Sequence, residues 1–477
     1  MAKKLVKEIT ARNQDFAKWY TDVCRKAELM DYSDAKGFII YRPYGYALWE
    51  GIKGYLDGLF KETGHQNVYM PLVIPESLFL KEAEHVEGFA PETAIITVGG
   101  NEILAERLIV RPTSEVLFCN HYSRIITSYR DLPKLYNQWC SVVRWEKTTR
   151  PFLRGSEFLW QEGHTVHIDE AEARKESLDI LDVYEKLGKD LLAIPFIIGK
   201  KTEKEKFAGA VDTYSIEALM HDGKALQSGT THYLGTGFAK AFNISFQDKD
   251  GKVKNPHQTS WGVSTRLIGA VIMVHGDDSG LVLPPYLAPI QVQIIPIQQQ
   301  KPGVLEACGE LKKELESYGI RVNVDDSDKS PGWKFSESEM KGIPLRIEIG
   351  PRDLANGECV VAKRYNGEKT TSDLSIVGES VPALLENIHE EMYQRALMNV
   401  LDNTRTTTDY EEFKQIIKEK QGYVKMMWCG DKECEEKVKA DTQATSRCMP
   451  FNQDPIGDVC PICGKPAKHL VYWAKAY

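Results

Sequence analysis

The chain has 477 residues, of which 42% are hydrophobic and 27% charged, with a formal net charge of −8. This length is too great for one core and predicts roughly two to four domains, while the composition excludes a disordered or fibrous chain. The acidic balance argues against wholesale coating of nucleic acid, although local basic patches can still bind it. The longest apolar run, LIGAVIMV at 267–274, falls far short of the ~20 residues that span a bilayer.

In chain order, MAKKLVKEIT mixes charges of both signs and lacks an apolar stretch, so no signal peptide is expected and the cytoplasm is the default compartment. From residue 1 to about 283, amphipathic helices alternate with apolar strands. YALWEGIKGYLDGLFKE at 46–62 spaces Leu48, Ile52, Leu56, Leu59 and Phe60 as a helix does. The strand-like runs VYMPLVIP, LIVRPTSEVLF, YNQWCSVVRWE and EFLWQEGHTVHI follow. Strands that succeed one another without a helix predict an antiparallel sheet in an α+β arrangement.

The proline-marked LVLPPYLAPIQ at 281–291 ends that region. Beyond it, IQVQIIPI, a helix over 304–318, IRVNVDD, a short helix near Glu337 and LRIEIG follow the βαβ pattern of a small doubly wound α/β domain. A charged, cysteine-bearing segment closes the chain. The expected domains are 1–283, 284–400 and 401–477.

Five of the ten cysteines, Cys24, Cys119, Cys140, Cys308 and Cys359, are scattered through patterned segments and read as small buried apolar residues. The other five crowd into the last fifty residues, where a cytosolic protein uses thiols for metal rather than for disulfides. Cys429 and Cys434 form one knuckle, and Cys460 and Cys463, within CPICG, form the second. Four soft thiolates in a closed tetrahedral shell favour structural Zn²⁺. Cys448, between the pairs, reads as free.

Three segments carry charge in apolar settings: RPTSE at 111–115, VVRWEKTTRPFLRGSEFLWQEGHT at 142–165, and QTSWGVSTRLIGAVIMVHGDD at 258–278. Each has a bland reading. Arg144 and Glu146 suit a structural ion pair, Thr113 or Ser114 a helix cap, Arg266 a lone arginine tied to carbonyls, and His164 a satisfied core histidine. Together they suggest more. Arg144, Arg154 and Arg266 are rigid bidentate donors fit for phosphate oxygens. Phe158 and Trp160 alternate with Glu157 and Gln161, which puts both rings on one strand face. Arginines, an aromatic platform and carboxylates suit a nucleoside triphosphate with magnesium. Neither a Walker-type loop nor a Rossmann glycine fingerprint is present to hold one otherwise.

These blocks resemble the class II aminoacyl-tRNA synthetases. RWE, a loop and RGSEFLWQEGHT are similar to motif 2, VYMPLVIP with Pro71 to motif 1, and GVSTRLIGAVI with Arg266 to motif 3. RPTSE, LQSGTTHYLG, HQTSWGVSTR, GPRDL, the cysteine quartet and the final Tyr477 are similar to prolyl-tRNA synthetases of the archaeal/eukaryotic-like type. The resemblance implies a class II antiparallel-sheet catalytic domain, an anticodon-binding domain and a zinc-binding C-terminal domain. It implies activation of L-proline by ATP with Mg²⁺, transfer to the 3′ end of tRNA(Pro), and a homodimer formed through motif 1. Arg144 and Arg266 are the implied catalytic residues. Arg144 would contact the α-phosphate and the proline carboxylate, Glu146 the adenine amino group, Arg154 the distal phosphates, and Phe158 and Arg266 would sandwich adenine. Gln227, Thr230 and His232 match a block that serves ATP and proline. Thr113 and Glu115 would hold the secondary ammonium, while Trp160, Glu162 and His164 line the ring pocket. Phe335, Glu339, Arg346, Arg352 and Asp353 are the implied readers of anticodon guanines, and Tyr477 is implied to reach toward the active site.

Only residues 165–262, roughly, separate the implied motifs 2 and 3, so no cis-editing domain is expected, and some mischarging of alanine is expected unless a trans-acting protein corrects it. A threonyl enzyme would need a Cys/His/His zinc set in its active site, and a seryl enzyme a long N-terminal coiled coil. A catalytically dead tRNA-binding paralogue would not need Arg144, Glu146 and Arg266 together.

Overall fold

A computed structural model describes residues 9–81 and 93–477. The run read for a signal peptide lies outside the described residues, apart from Ile9 and Thr10. The architecture is α+β. Its largest sheet has seven strands in the order Gln66–Asn67, Lys134–Val143, Glu157–His167, His257–Ser264, Ala225–Gly235, Asp212–Leu219 and Ile197–Lys200. All neighbours are antiparallel except the first pair.

Period two decides what each face of this sheet does. On the core side of the Glu157–His167 strand, Gln161 donates to Asn137 Oδ1 and accepts from Tyr184 Oη, both at 2.8 Å. Gly163 lies opposite Trp261 in the neighbouring strand, and a Cβ there would stand 2.2 Å from the indole, so only glycine leaves room for that ring. The helices Pro43–Glu62, Glu170–Leu187 and Arg266–His275 cover this face with Leu48, Ile52, Leu56, Phe60, Ile180, Tyr184, Leu267 and Val271, all buried. The other face borders a cavity.

Two strand readings change. In VYMPLVIP only Val73–Pro75 pairs, with Glu102–Val110. Pro71 has no amide to donate, and the stretch before it is held instead by Arg111, whose Nη1 donates to Met70 O at 2.6 Å and whose Nε donates to Ser141 O at 2.9 Å. In LIVRPTSEVLF the strand stops at Val110, and the helix Glu115–Ile125 begins four residues after Arg111.

A second, five-stranded sheet runs in the order Val322–Val324, Val292–Pro296, Leu345–Ile349, Glu358–Lys363 and Lys369–Asp373. Its first three strands are parallel, as the βαβ pattern predicts. The last two add an antiparallel hairpin that the pattern does not include, closed at Asn366-Gly367 with Gly367 at φ +74°. The proline-marked joint is docked rather than free: Leu281 N donates to Met340 O at 3.0 Å and Leu283 N to Gly342 O at 3.1 Å. A third sheet, Thr404–Thr406, Tyr423–Trp428, His469–Ala474 and Thr445–Cys448, carries the helices Tyr410–Glu419 and Lys432–Thr442. It meets the outer edge of the seven-stranded sheet, where Lys200 and Met449 exchange main-chain hydrogen bonds of 2.8 and 2.7 Å.

Candidate active site

The open face of the large sheet assembles residues from five strands. Phe158, Trp160, Glu162 and His164 alternate along Glu157–His167. Across the ladder, Cys140 faces Trp160 and Gln138 faces Glu162 on one side. On the other side Gly262 faces Glu162 and Ser260 faces His164, then Thr230 and His232 follow, and Thr213 lies beyond. Trp160, Glu162, His164, Gly262, Ser260, Thr230, His232 and Thr213 line a cavity of about 210 Å³ together with Thr113, Glu115 and Arg144.

The cavity floor is a hydrogen-bonded network around Glu162, which is 2% exposed. Its carboxylate accepts from Ser114 Oγ at 2.5 Å, Ser114 N at 3.2 Å and Gln138 Nε2 at 2.6 Å, and meets His164 Nε2 at 2.9 Å. Burial favours the neutral acid, but the bonds from His164, Ser114 and Gln138 prevail and hold Glu162 below the usual carboxylate value. Burial likewise disfavours the His164 imidazolium, yet Glu162 and Glu115 raise its pKa above the ordinary value. His232 is the reverse case: burial, with the nearby charge of His164, pushes it down to about 3, so it is neutral between Thr213 Oγ1 at 2.9 Å and Thr230 Oγ1 at 3.0 Å.

Ser114 sits at the N-cap of the Glu115–Ile125 helix without making a capping hydrogen bond, because its hydroxyl goes to Glu162. The helix-cap reading of RPTSE therefore gives way to one in which the turn serves the cavity. Thr113 Oγ1 donates to Glu115, whose side chain is buried at the helix start.

The three arginines approach from three segments. Arg144 lies over the rings of both Phe158 and Trp160, 5.4 Å from each centroid, and its Nε donates to Pro112 O at 3.1 Å. Arg266, first residue of its helix, donates to Leu153 O at 3.1 Å and Gln227 O at 3.2 Å. Burial and then the positive charges of Arg154 and Arg144 push its pKa down to about 10. Arg154 is exposed and stands 3.9 Å from Glu146. Like charges that act on one another in this way are unfavourable until an anion arrives. Phe158 does not line this cavity; it borders an adjoining recess with Tyr41, Arg154 and Gly155. Sequence reasoning did not single out Glu205, Phe207, Thr213 or Ser260 as cavity lining. The Ser260 hydroxyl has no hydrogen-bond partner in the structure. Thr213 and Ser260 could have been found from strand register, whereas Glu205 and Phe207 lie on the loop between the Ile197–Lys200 and Asp212–Leu219 strands.

Two further groups stand apart. Cys429, Cys434, Cys460 and Cys463 bring their sulfurs within 4.8 Å of one another, with Cys429 Sγ 3.6 Å from Cys434 Sγ and 3.7 Å from Cys463 Sγ. Cys448 is a buried free thiol outside that cluster. Around the second sheet, Arg346 lies 4.4 Å over the Phe335 ring and pairs with Glu339 at 3.2 Å and Glu348 at 3.0 Å. Arg352 and Asp353 lie instead on the Pro351–Asn356 helix, beyond the far end of the Leu345–Ile349 strand, where Asp353 accepts from Gly350 N at 2.7 Å. The structure thus splits this implied set in two. A wider cleft of about 790 Å³ borders Glu339 and Arg346, but Arg364 and Asp277 within it are already paired by bonds of 2.7 and 2.6 Å. Tyr477 donates to Asp222 at 2.6 Å and lies under Arg150, which belongs to the loop after Arg144.

Known families match three regions of the chain. The family model described as “tRNA synthetase class II core domain (G, H, P, S and T)” matches residues 100–275, “Anticodon binding domain” matches 291–384, and “Prolyl-tRNA synthetase, C-terminal” matches 410–477. The chain is 60% identical over 475 residues to the proline--tRNA ligase of Clostridium botulinum (strain Loch Maree / Type A3), covering 100% of this chain and 99% of the relative. It is 61% identical, at the same coverage, to the proline--tRNA ligase of Ruminiclostridium cellulolyticum, and 59% identical to that of Lachnospira eligens. With identity sustained end to end and all three regions matched, the chain belongs to the prolyl-tRNA synthetase family of class II ligases.

Proposed function

We propose that this proline--tRNA ligase activates L-proline with ATP on the open face of the Glu157–His167 strand, then passes the prolyl group to the terminal ribose 3′-OH of tRNA(Pro). The observation that carries the site assignment is the division of labour between two buried carboxylates. Glu162 is committed to Ser114, Gln138 and His164, whereas Glu115 has Thr113 as its bonded neighbour and both line the cavity. The secondary ammonium of proline has two N–H donors, which match one carboxylate and one hydroxyl. Trp160, His164 and His232 enclose the ring.

Activation is attack by the proline carboxylate on the α-phosphate with release of pyrophosphate. The nucleophile is already ionised, so no general base is required, and positioning and charge neutralisation do the work. Arg144 joins the carboxylate to the α-phosphate. Arg154 takes the distal phosphates and, once they bind, relinquishes its long contact with Glu146, which is then available to the adenine amino group. Phe158, Gln227, Thr230 and Arg266 complete the ATP side. Magnesium comes with ATP and supplies further neutralisation of its phosphates. The segment between the implied motifs is occupied by the Glu170–Leu187 helix and strands of the same sheet, which supports a chain without a cis-editing domain.

The cysteine quartet holds structural zinc in this reading. A Zn–S length of about 2.3 Å gives tetrahedral S···S edges of roughly 3.8 Å, and the two distances above approach that spacing. Phe335, Arg346 and Glu339 read one anticodon guanine by stacking and edge hydrogen bonds, and Arg352 and Asp353 read a second, splayed base. The domains run 1–283, 284–400 and 401–477. A homodimer is supported by Tyr69, Leu72, Leu80, Ile95, Val98 and Ile103, large exposed apolar side chains on or beside the three-stranded sheet around Val73–Pro75. A cytoplasmic location is supported by ten cysteines that are all free. Among the described residues no helix is long and apolar enough to cross a membrane.

The site assignment is tested by Glu115→Gln in ATP–pyrophosphate exchange. Removing the charge that meets the ammonium should raise the KM for proline about tenfold or more while leaving the KM for ATP near wild type. An unchanged proline KM would refute the assignment.

A further inference from the structure

The loop between the Ile197–Lys200 and Asp212–Leu219 strands lends Glu205 and Phe207 to the cavity wall. The Phe207 ring lies 4.6 Å from that of His232, and its amide donates to Thr213 Oγ1 at 3.0 Å. At the base of this loop, Lys201 and Thr202 are buried although both are polar and neither lines the cavity. Burial of such groups demands partners, and these come largely from the C-terminal unit. Lys201 Nζ donates to Arg447 O at 2.7 Å and to Glu217 Oε1 at 3.2 Å. Arg447 gives Glu217 Oε2 two further bonds, of 3.1 and 2.9 Å, with Glu217 fully buried beneath the loop. Thr202 Oγ1 donates to Glu435 Oε1 at 2.8 Å, and Ser446 Oγ donates to the same oxygen.

The link to the cavity is short. Thr202 O accepts from the amides of Glu205 at 3.1 Å and Lys206 at 3.0 Å, so the turn that bears Glu205 closes on the residue that Glu435 grips. A fully satisfied buried network of this kind fixes geometry more than it adds stability. We infer that Thr202, Glu435 and Arg447 are positioning residues for proline binding: the C-terminal unit holds the loop base so that Glu205 and Phe207 close the cavity wall beside His232. This rests on the proline-site assignment above. Arg144, Arg154, Phe158 and Arg266, which serve ATP in that reading, lie on segments other than this loop, so the hold of Glu435 on Thr202 bears on proline more than on ATP.

The test uses the full chain in ATP–pyrophosphate exchange. Thr202→Val keeps the side-chain shape and removes the donor, Glu435→Leu removes the acceptor, and Glu435→Gln keeps an acceptor oxygen. The expected result is a proline KM raised about tenfold in Thr202→Val and Glu435→Leu, an ATP KM near wild type in both, and restoration in Glu435→Gln. If Glu435→Leu does not fold, the isosteric Thr202→Val decides alone. An unchanged proline KM in Thr202→Val, or KM values for proline and ATP that rise together, would overturn the inference. Glu115→Gln separates the two claims. If it raises the proline KM while Thr202→Val does not, the positioning role alone fails; if it too has no effect, the site assignment fails and this inference with it.

Discussion

Glu162 and His164 show how one buried contact sets two protonation states in opposite senses. His164 is raised above its ordinary 6.5, so the stability gained from its charged form is complete below that value and is lost as pH rises through the folded pKa. Glu162 is lowered below 4.5, so its contribution is complete above that value and is lost as pH falls through the folded pKa. The pair is therefore intact between those limits and loosens on both sides. Removing the charge of Glu162 should move His164 downward, because burial then acts against a weaker counter-charge. NMR titration of a chain labelled in its histidine rings should show the His164 midpoint falling in Glu162→Gln. A midpoint that stays in place would show that Glu162 does not hold the imidazolium.

At the scale of elements, the Glu157–His167 strand carries much of the site because its period of two separates a ligand face from a core face. That division was legible in the sequence, where Phe158 and Trp160 alternate with Glu157 and Gln161. Which carboxylate would be tied down was not legible, since strand period assigns a face and not a hydrogen-bond partner. Ser114 could equally have capped its helix, and only the approach of Glu162 across the fold diverts its hydroxyl. The cysteine knuckles were readable from spacing alone, because short loops bring their own sulfurs together. In the C-terminal unit Cys460→Ser removes one of the four sulfurs proposed to hold zinc and should release the metal. Metal analysis should fall from about one zinc per chain to well below it, and an unchanged stoichiometry would contradict the four-cysteine site.

Across the whole molecule, contacts distant in sequence are where sequence reasoning stopped. Thr202 and Glu435 are separated by 233 residues, and no local pattern in either marks them as partners. Arg364 similarly joins the second unit to the end of the Arg266–His275 helix through Asp277, while its Nε donates to Glu339 O at 2.8 Å. The antiparallel hairpin of the second sheet, by contrast, has a local signal in Asn366-Gly367. The cavity itself is lined by the first unit alone, with Arg144 at its wall; in the proposed reading it binds proline, with ATP held by Arg144, Arg154 and Arg266. That account is tested most directly by amino-acid-dependent ATP–pyrophosphate exchange on the wild-type chain and on Arg144→Ala. It predicts exchange with proline that Arg144→Ala reduces by at least about a hundredfold, with the folded state retained. Exchange supported by a different amino acid and not by proline, or wild-type exchange in Arg144→Ala, would contradict it.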